Sequence, residues 1–296
     1  MIDLSALVTE SRNQETMGLD QMTPLEIASV MNREDENAVA AVRLVLPQVA
    51  EAIAWCTESL RSGGRIIYMG AGTSGRLGVL DAVECPPTFG VSPDMVIGLM
   101  AGGAEAFMKA VEGAEDSQSL GEEDLRRIRL TDKDIVIGLA ASGRTPYVIY
   151  GLRYARNTGC RTVAISCNKG SDVGCEAHLA IEPVPGPEVL TGSTRLKAGT
   201  VQKMILNMIS TGSMVGIGKA YQNLMVDVVQ TNRKLVARTE NIVMTATGCS
   251  REEAQGCLEE ARGSAKLAIT MILLRCSAQS AREKLEKAEG SVRNAI

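Results

Sequence analysis

Aromatic side chains are scarce in this chain of 296 residues: two Phe, five Tyr and one Trp make up 3% of it. The core must therefore be filled by Ala, Val, Ile, Leu and fourteen Met, and few rings remain to stack on nucleobases. An excess of positive charge is also missing. Thirty-one Lys and Arg against 35 Asp and Glu leave a net charge of −4, which offers no general attraction to a polyphosphate backbone and argues against a nucleic-acid partner. The eight cysteines, at positions 56, 85, 160, 167, 175, 249, 257 and 276, contain no C-x-x-C pair, so zinc ribbons and redox dithiols are excluded and free thiols in a reducing cytoplasm are expected. No cluster of His, Cys or carboxylate has metal-ligand spacing, and no cofactor is called for. The uncharged stretch from Met204 to Gly218 is shorter than the roughly 20 residues a membrane span needs, and MIDLSALVTESRN lacks the basic start of a secretory signal. A cytoplasmic protein without membrane contact is the expectation.

With 45% hydrophobic and 22% charged residues, the chain has the composition of a folded globular protein, and its length suits about two domains. Thr23-Pro24-Leu25-Glu26 spells a helix start, with Thr as N-cap, Pro at the first helical position and Glu closing a capping box. Apolar residues then recur at helical spacing from Val49 to Leu60. Short apolar runs follow at Ile66–Met69, Met95–Leu99, Ile135–Leu139, Thr162–Ser166 and Leu179–Ile181, each separated by enough chain for a crossover helix. Five such strands predict a three-layer αβα domain around a five-stranded parallel sheet. Beyond about Lys219 strand signals stop. Asn223 to Thr247 reads as one amphipathic helix ending at Gly248, and capping boxes at Ser250 and Ser280 start two more helices. The expected division is an N-terminal helical arm over 1–46, the α/β domain over 47–222 and a small three-helix, all-α module over 223–296.

Three loops rich in Gly, Ser and Thr each follow a predicted strand and precede a predicted helix: Gly70-Ala71-Gly72-Thr73-Ser74-Gly75, Ala141-Ser142-Gly143-Arg144-Thr145, and Thr191 through Lys197. All three belong at the carboxyl end of the sheet. A helix N-terminus there offers unpaired N–H groups and positive dipole charge, glycine lets the backbone come close, and hydroxyls add donors. A phosphate monoester is the guest such loops suit. The first loop also satisfies G-x-G-x-x-G, the dinucleotide fingerprint, yet the second strand runs into Met100-Ala101-Gly102-Gly103, where a ribose-binding acid should stand. The G-x-x-x-x-G-K-[ST] cradle of nucleotide hydrolases is absent. For proton transfer the one histidine, His178, lies at the edge of a short strand and reads as structural. Carboxylates remain. Glu84, in DAVECPP, stands where Pro86 and Pro87 should end a helix, and Glu115, in VEGAEDS, follows a glycine that breaks one. Composition alone makes both of them solvated surface acids.

These segments resemble the N-acetylmuramic acid 6-phosphate etherases, lyases of cell-wall recycling built on a sugar isomerase (SIS) domain. The likeness runs through GAGTSGRLGVLDAVECPPTFG from Gly70, AVEGAEDS from Ala110, AASGRTPYV from Ala140, TGSTRLKAGT from Thr191, NLMVDVV from Asn223 and the C-terminal ATGCSREEA, and covers nearly the whole chain. It implies cleavage of the D-lactyl ether at C3 of the sugar phosphate, with a UBA-like helical domain at the C-terminus. Carried over by motif, Glu84 is the proton donor to the leaving oxygen and Glu115 its catalytic partner. Ser142, Gly143 and Thr145 hold the phosphate, Gly72, Thr73 and Ser74 face the sugar, and Ser193, Thr194 and Lys197 are further binding candidates. A sugar-phosphate-sensing regulator and an aldose–ketose isomerase on the same fold stay open as alternatives. One distance is awkward: a helix unbroken from Ser74 to Glu84 puts the acid about 15 Å from the loop. Either Gly75 and Gly78 delay the helix, or Glu84 serves a site that includes a second subunit, and a homodimer with its sites at or near the subunit boundary is the expectation.

Overall fold

The computed structural model describes residues 8–109, 111–228 and 233–296; the opening segment through Leu7, Ala110 at the head of AVEGAEDS and Val229 at the end of NLMVDVV lie outside them. Two compact units divide the chain, one formed by Met1–Val83 with Asp94–Ser210 and the other by Glu84–Pro93 with Thr211–Ile296. This differs from the expected cuts after 46 and 222, because the N-terminal helices join the sheet-bearing unit and a short stretch of chain at 84–93 belongs with the C-terminal helices.

In the first unit, Thr23 caps α1 (Pro24–Arg43) through the full capping box with Glu26, as its sequence predicts, and α2 (Leu46–Arg61) follows. Strand β1 (Ile66–Gly70) leads into α3 (Gly72–Phe89), then β2 (Val96–Met100), α4 (Glu105–Met108), α5 (Leu120–Arg127) and β3 (Ile135–Leu139). After α6 (Pro146–Asn157), β4 (Arg161–Ile165), α7 (Asp172–Glu176) and β5 (Leu179–Ile181) comes α8 (Lys197–Gly216). All five strands pair in parallel in the order β2-β1-β3-β4-β5, the three-layer arrangement expected from the apolar runs. β1 and β3 are buried at every position, as central strands covered on both faces must be. One face carries Ile67, Met69 and Val136 against Val148 and Leu152 of α6. On the other face α3 lies so close that a Cβ on Gly78 would sit 3.0 Å from Tyr68 Cβ and Leu139 Cδ1, which is why a helical glycine is kept there despite its entropic cost. Asp81 of α3 accepts hydrogen bonds from Tyr68 Oη at 3.0 Å, Asn207 Nδ2 at 2.8 Å and Ser210 Oγ at 3.1 Å, tying β1, α3 and α8 together. Burial raises this carboxyl above its ordinary value against the pull of those donors.

Helix α3 overturns one expectation. It does not stop before Pro86 and Pro87 but runs through both to Phe89, with Gly90 N–H closing on the carbonyl of Pro86 at 2.9 Å. Two prolines in a last turn delete only two donors, for the carbonyls of Ala82 and Val83, and the pre-proline bias away from the helix is outweighed. Nor do Gly75 and Gly78 delay its start.

The second unit holds a two-stranded antiparallel ribbon, β6 (Ala220–Tyr221) with β7 (Leu224–Met225), then α9 (Arg233–Thr247), α10 (Arg251–Glu260), α11 (Ala265–Leu274), α12 (Ala278–Lys287) and α13 (Val292–Ala295). The single helix expected over 223–247 is thus split: Leu224 and Met225 are strand, and helix is described only from Arg233. Gly248 ends α9 in the left-handed region, and Ser250 caps α10 by accepting from Glu253 N at 3.2 Å, both as expected. Ser280 does not cap. Ser277, three residues earlier, accepts from Ser280 N at 3.4 Å and starts α12; among the described residues this unit holds two more helices than the three expected. No single helix among the described residues is long and apolar enough to cross a membrane.

Candidate active site

The carboxyl ends of β1, β2 and β3 open onto the first two glycine-rich loops. Gly72 starts α3 with φ +52°, a left-handed backbone that favours glycine, and is exposed. Thr73 is half-buried, whereas Ser74 is buried and donates its hydroxyl to Gln202 Oε1 of α8 at 2.9 Å. Gly72 and Glu115 line one cavity of about 320 Å³, together with Arg76, Glu112, Met100 and Val111. Two predicted site residues, 43 positions apart, are therefore brought to one hollow. Glu115 is held by its backbone: its carbonyl accepts from Tyr147 N at 3.1 Å, at the first turn of α6. Tyr147 in turn is fixed by donating Oη to Asp124 at 2.7 Å.

The second loop precedes α6. Gly143 has φ +81°, and a Cβ there would lie 2.3 Å from Ser171 Cβ, so only glycine fits. Asn168 pins the loop by donating Nδ2 to the carbonyls of Ala141 at 3.3 Å and Ser142 at 3.2 Å. Thr145 stands at the N-cap of α6 yet makes no side-chain capping bond, which leaves its hydroxyl and the helix terminus available to an anion. Ser142 and Thr145 are half-buried.

The third loop is different. Glu188, buried, accepts from Lys197 N at 2.9 Å and Ala198 N at 3.0 Å, so the start of α8 already holds a carboxylate of the chain itself. Lys197 is 1% exposed, its Nζ pairs with Glu34 Oε2 at 2.5 Å, and Asn13 Nδ2 donates to the same oxygen at 2.8 Å. It lines a separate hollow of about 690 Å³ with Arg12 and Gly186 rather than the one at Glu115. Ser193 and Thr194 are half-buried in the loop between, Ser193 N donating to the carbonyl of Leu190 at 3.2 Å. Glu84 is exposed on α3. His178 has the structural part expected: its Nδ1 accepts from Thr162 N at 3.2 Å between β4 and β5, and burial followed by Arg156 and Arg161 lowers its pKa. Among the described residues no group of three His, Cys, Asp or Glu is placed to hold a metal ion.

The sequence reading passed over Arg76 although it lies inside the quoted glycine-rich motif. Its Nε donates to the carbonyl of Phe107 at 2.8 Å and its Nη2 to that of Ala106 at 2.8 Å. The signal was spacing: Arg76 is four residues beyond Gly72, one helical turn along the same face.

Comparison with known proteins places the chain in a family. The family model for the glucokinase regulatory protein N-terminal SIS domain matches residues 48–156, and that for the SIS domain matches 119–211. A Pectobacterium atrosepticum protein named N-acetylmuramic acid 6-phosphate etherase is 60% identical over 272 residues, covering 92% of this chain and 90% of its own. This chain belongs to the N-acetylmuramic acid 6-phosphate etherase family. Members from Enterobacter sp. (strain 638) and Salmonella agona are 60% and 59% identical over 272 residues, each covering 92% of both chains. The fold reaches further than the family: a phosphoheptose isomerase from Francisella tularensis superposes with a TM-score of 0.50 at 14% identity, over 66% of this chain and 100% of that one.

Proposed function

We propose that the chain cleaves the D-lactyl ether of N-acetylmuramic acid 6-phosphate in the cytoplasm, giving N-acetylglucosamine 6-phosphate and D-lactate. The observation that carries this reading is the hollow shared by Gly72 and Glu115 in a chain 60% identical to a named etherase. In the open-chain sugar the C2 proton is acidified by the adjacent aldehyde, and Glu115 removes it. The C3–O bond then breaks, the leaving lactyl oxygen takes a proton from Glu84, and water adds to C3 of the unsaturated aldehyde while the proton at C2 is restored. Two carboxylates in opposite protonation states complete the cycle. Ser142, Gly143 and Thr145 hold the phosphate against the α6 terminus, and Gly72 and Thr73 face the sugar, the hydroxyl of Ser74 being engaged by Gln202.

Glu84 stands twelve residues past Gly72 in an unbroken helix, about 18 Å along its axis, farther than one sugar phosphate spans. It therefore acts in the site of a second copy, and the working assembly is a homodimer. Incubation with N-acetylmuramic acid 6-phosphate in water labelled with heavy oxygen tests the chemistry: D-lactate is released and label enters at C3. No lactate from the purified chain ends the proposal and returns the regulator to favour. Glu84→Ala stops release while solvent exchange at C2 of the product continues; loss of both makes Glu84 the base. Mixing inactive Glu84→Ala and Glu115→Gln chains restores part of the activity if the acids come from different subunits, and none if they do not.

A further inference from the structure

The substrate just proposed carries two anionic groups, a phosphate at C6 and a carboxylate on the lactyl arm, and the loop at Ser142–Thr145 accounts for only the first. The second needs a cation close to the bond that breaks, because in a lactyl ether the carboxylate is attached to the same carbon as the ether oxygen. We propose that Arg76 is that cation and that its cavity is a subsite for a short 2-oxyacid carboxylate, an inference that rests on the etherase reading above.

The cavity narrows the choice. Of the described residues lining it, Arg76 is the positive one, and Glu112 and Glu115 are negative. A carboxylate entering without a cation would meet two of its own sign. Arg76 is also preset for the task. A guanidinium has five N–H donors in a rigid fork. The carbonyls of Phe107 and Ala106 take one from Nε and one from Nη2, which fixes the plane of the fork with neutral partners and leaves its charge uncancelled by them. The N-terminus of α3, one turn before it, adds partial charge of the same sign. Val111, Ala106 and Met100 supply an apolar wall on which the lactyl methyl rests. Arg76 thereby distinguishes the lactyl ether from a plain hexosamine phosphate and stabilises the lactate leaving group beside Glu115.

The test compares two ligands that differ by the lactyl arm. In Arg76→Met, KM for N-acetylmuramic acid 6-phosphate rises about 30-fold, the loss of one charge-assisted contact. The inhibition constant of N-acetylglucosamine 6-phosphate, measured against the same reaction, rises at least tenfold less. Arg76→Lys keeps the charge and one donor, recovers part of the KM, and shows the same skew on a smaller scale should the Met variant fold poorly. Equal losses for both ligands make Arg76 a brace for residues 105–108 and overturn the inference, as does an unchanged KM. A wild-type chain that releases no D-lactate fails one step earlier, at the etherase reading itself.

Discussion

The two ends of the parallel sheet are built on opposite rules. At the amino end, Asp134 is 2% exposed and accepts from Arg65 N at 2.9 Å, Arg65 Nε at 3.0 Å, Arg65 Nη2 at 2.7 Å and Thr131 N at 2.8 Å. Ser59 Oγ closes on the carbonyl of Lys133 at 2.6 Å beside it. Both of these acceptors are spoken for. At the carboxyl end, by contrast, Thr145 caps nothing, Gly72 is bare and Glu115 stands exposed over a hollow. Satisfied polar groups hold a fold, and groups left open await a ligand.

The largest expected effect breaks the open end. Glu115→Gln keeps the shape of the side chain and removes its proton-accepting charge, so D-lactate release falls by about 10²–10⁴-fold, the worth of a positioned acid–base group. The urea midpoint stays where it was, since the side chain is exposed. A shifted midpoint with an intact rate would assign Glu115 to the scaffold.

The closed end should respond the other way round. Asp134→Ala leaves Arg65 and the Thr131 amide without their acceptor and costs about 3 kcal/mol in urea denaturation, while kcat of the folded fraction is kept. The acid limb of the stability curve carries the same signature. Burial acts to raise the Asp134 carboxyl, but the hydrogen bond from Arg65, the Thr131 amide and the Arg65 charge outweigh it and hold the group below its ordinary 3.8. Its contribution is therefore complete above that value and is lost as the pH falls through the lower folded value, and Asp134→Ala flattens this part of the curve.

Gly143→Ala sharpens the contrast because it strains the open end without removing a functional group. The new Cβ would meet Ser171 Cβ at 2.3 Å, on a backbone with φ +81°. A cost of about 1–3 kcal/mol in stability is expected, with a rise in KM as the phosphate loop shifts. A neutral result in both would mean that the loop adapts freely and is no cradle.

How far the sequence foretold these two ends follows from the physics of each. Buried parallel strands are short apolar runs between glycines, so the five strands were legible to within a residue or so. Glycine-rich loops ahead of helices are equally local, which is why the left-handed backbone positions Gly72 and Gly143 fall inside the loops the sequence marks. Pairings distant in sequence were not. Lys197 read as a binding candidate; Glu34, its partner, lies 163 residues away, and the helix-capping carboxylate of Glu188 was not visible as a competitor for the α8 terminus. The run of α3 through Pro86 and Pro87 was missed for another reason: local propensity favours a stop there, and continuation depends on packing. Ser280 reads as a cap because S-A-R-E spells a capping box, whereas the hydroxyl that starts α12 is that of Ser277, three residues earlier.

Thr145→Val is the smallest change and the finest test of the comparison. Ser171 shows what a working cap does: its Oγ accepts from Gly174 N at 3.1 Å and donates to Glu182 Oε1 at 2.7 Å, and removing such a cap typically costs about 1 kcal/mol. Thr145 occupies the equivalent place on α6 with no such bond, so its hydroxyl stabilises the free protein very little. Valine keeps the shape and deletes the donor. The unfolding free energy should change by less than about 0.5 kcal/mol, while KM for the phosphorylated substrate rises about tenfold, the worth of one hydrogen bond to a charged group. If stability falls by the full cost of a lost cap and KM is unmoved, the hydroxyl was holding the helix after all, and the division between a finished end and a waiting one loses its clearest single atom.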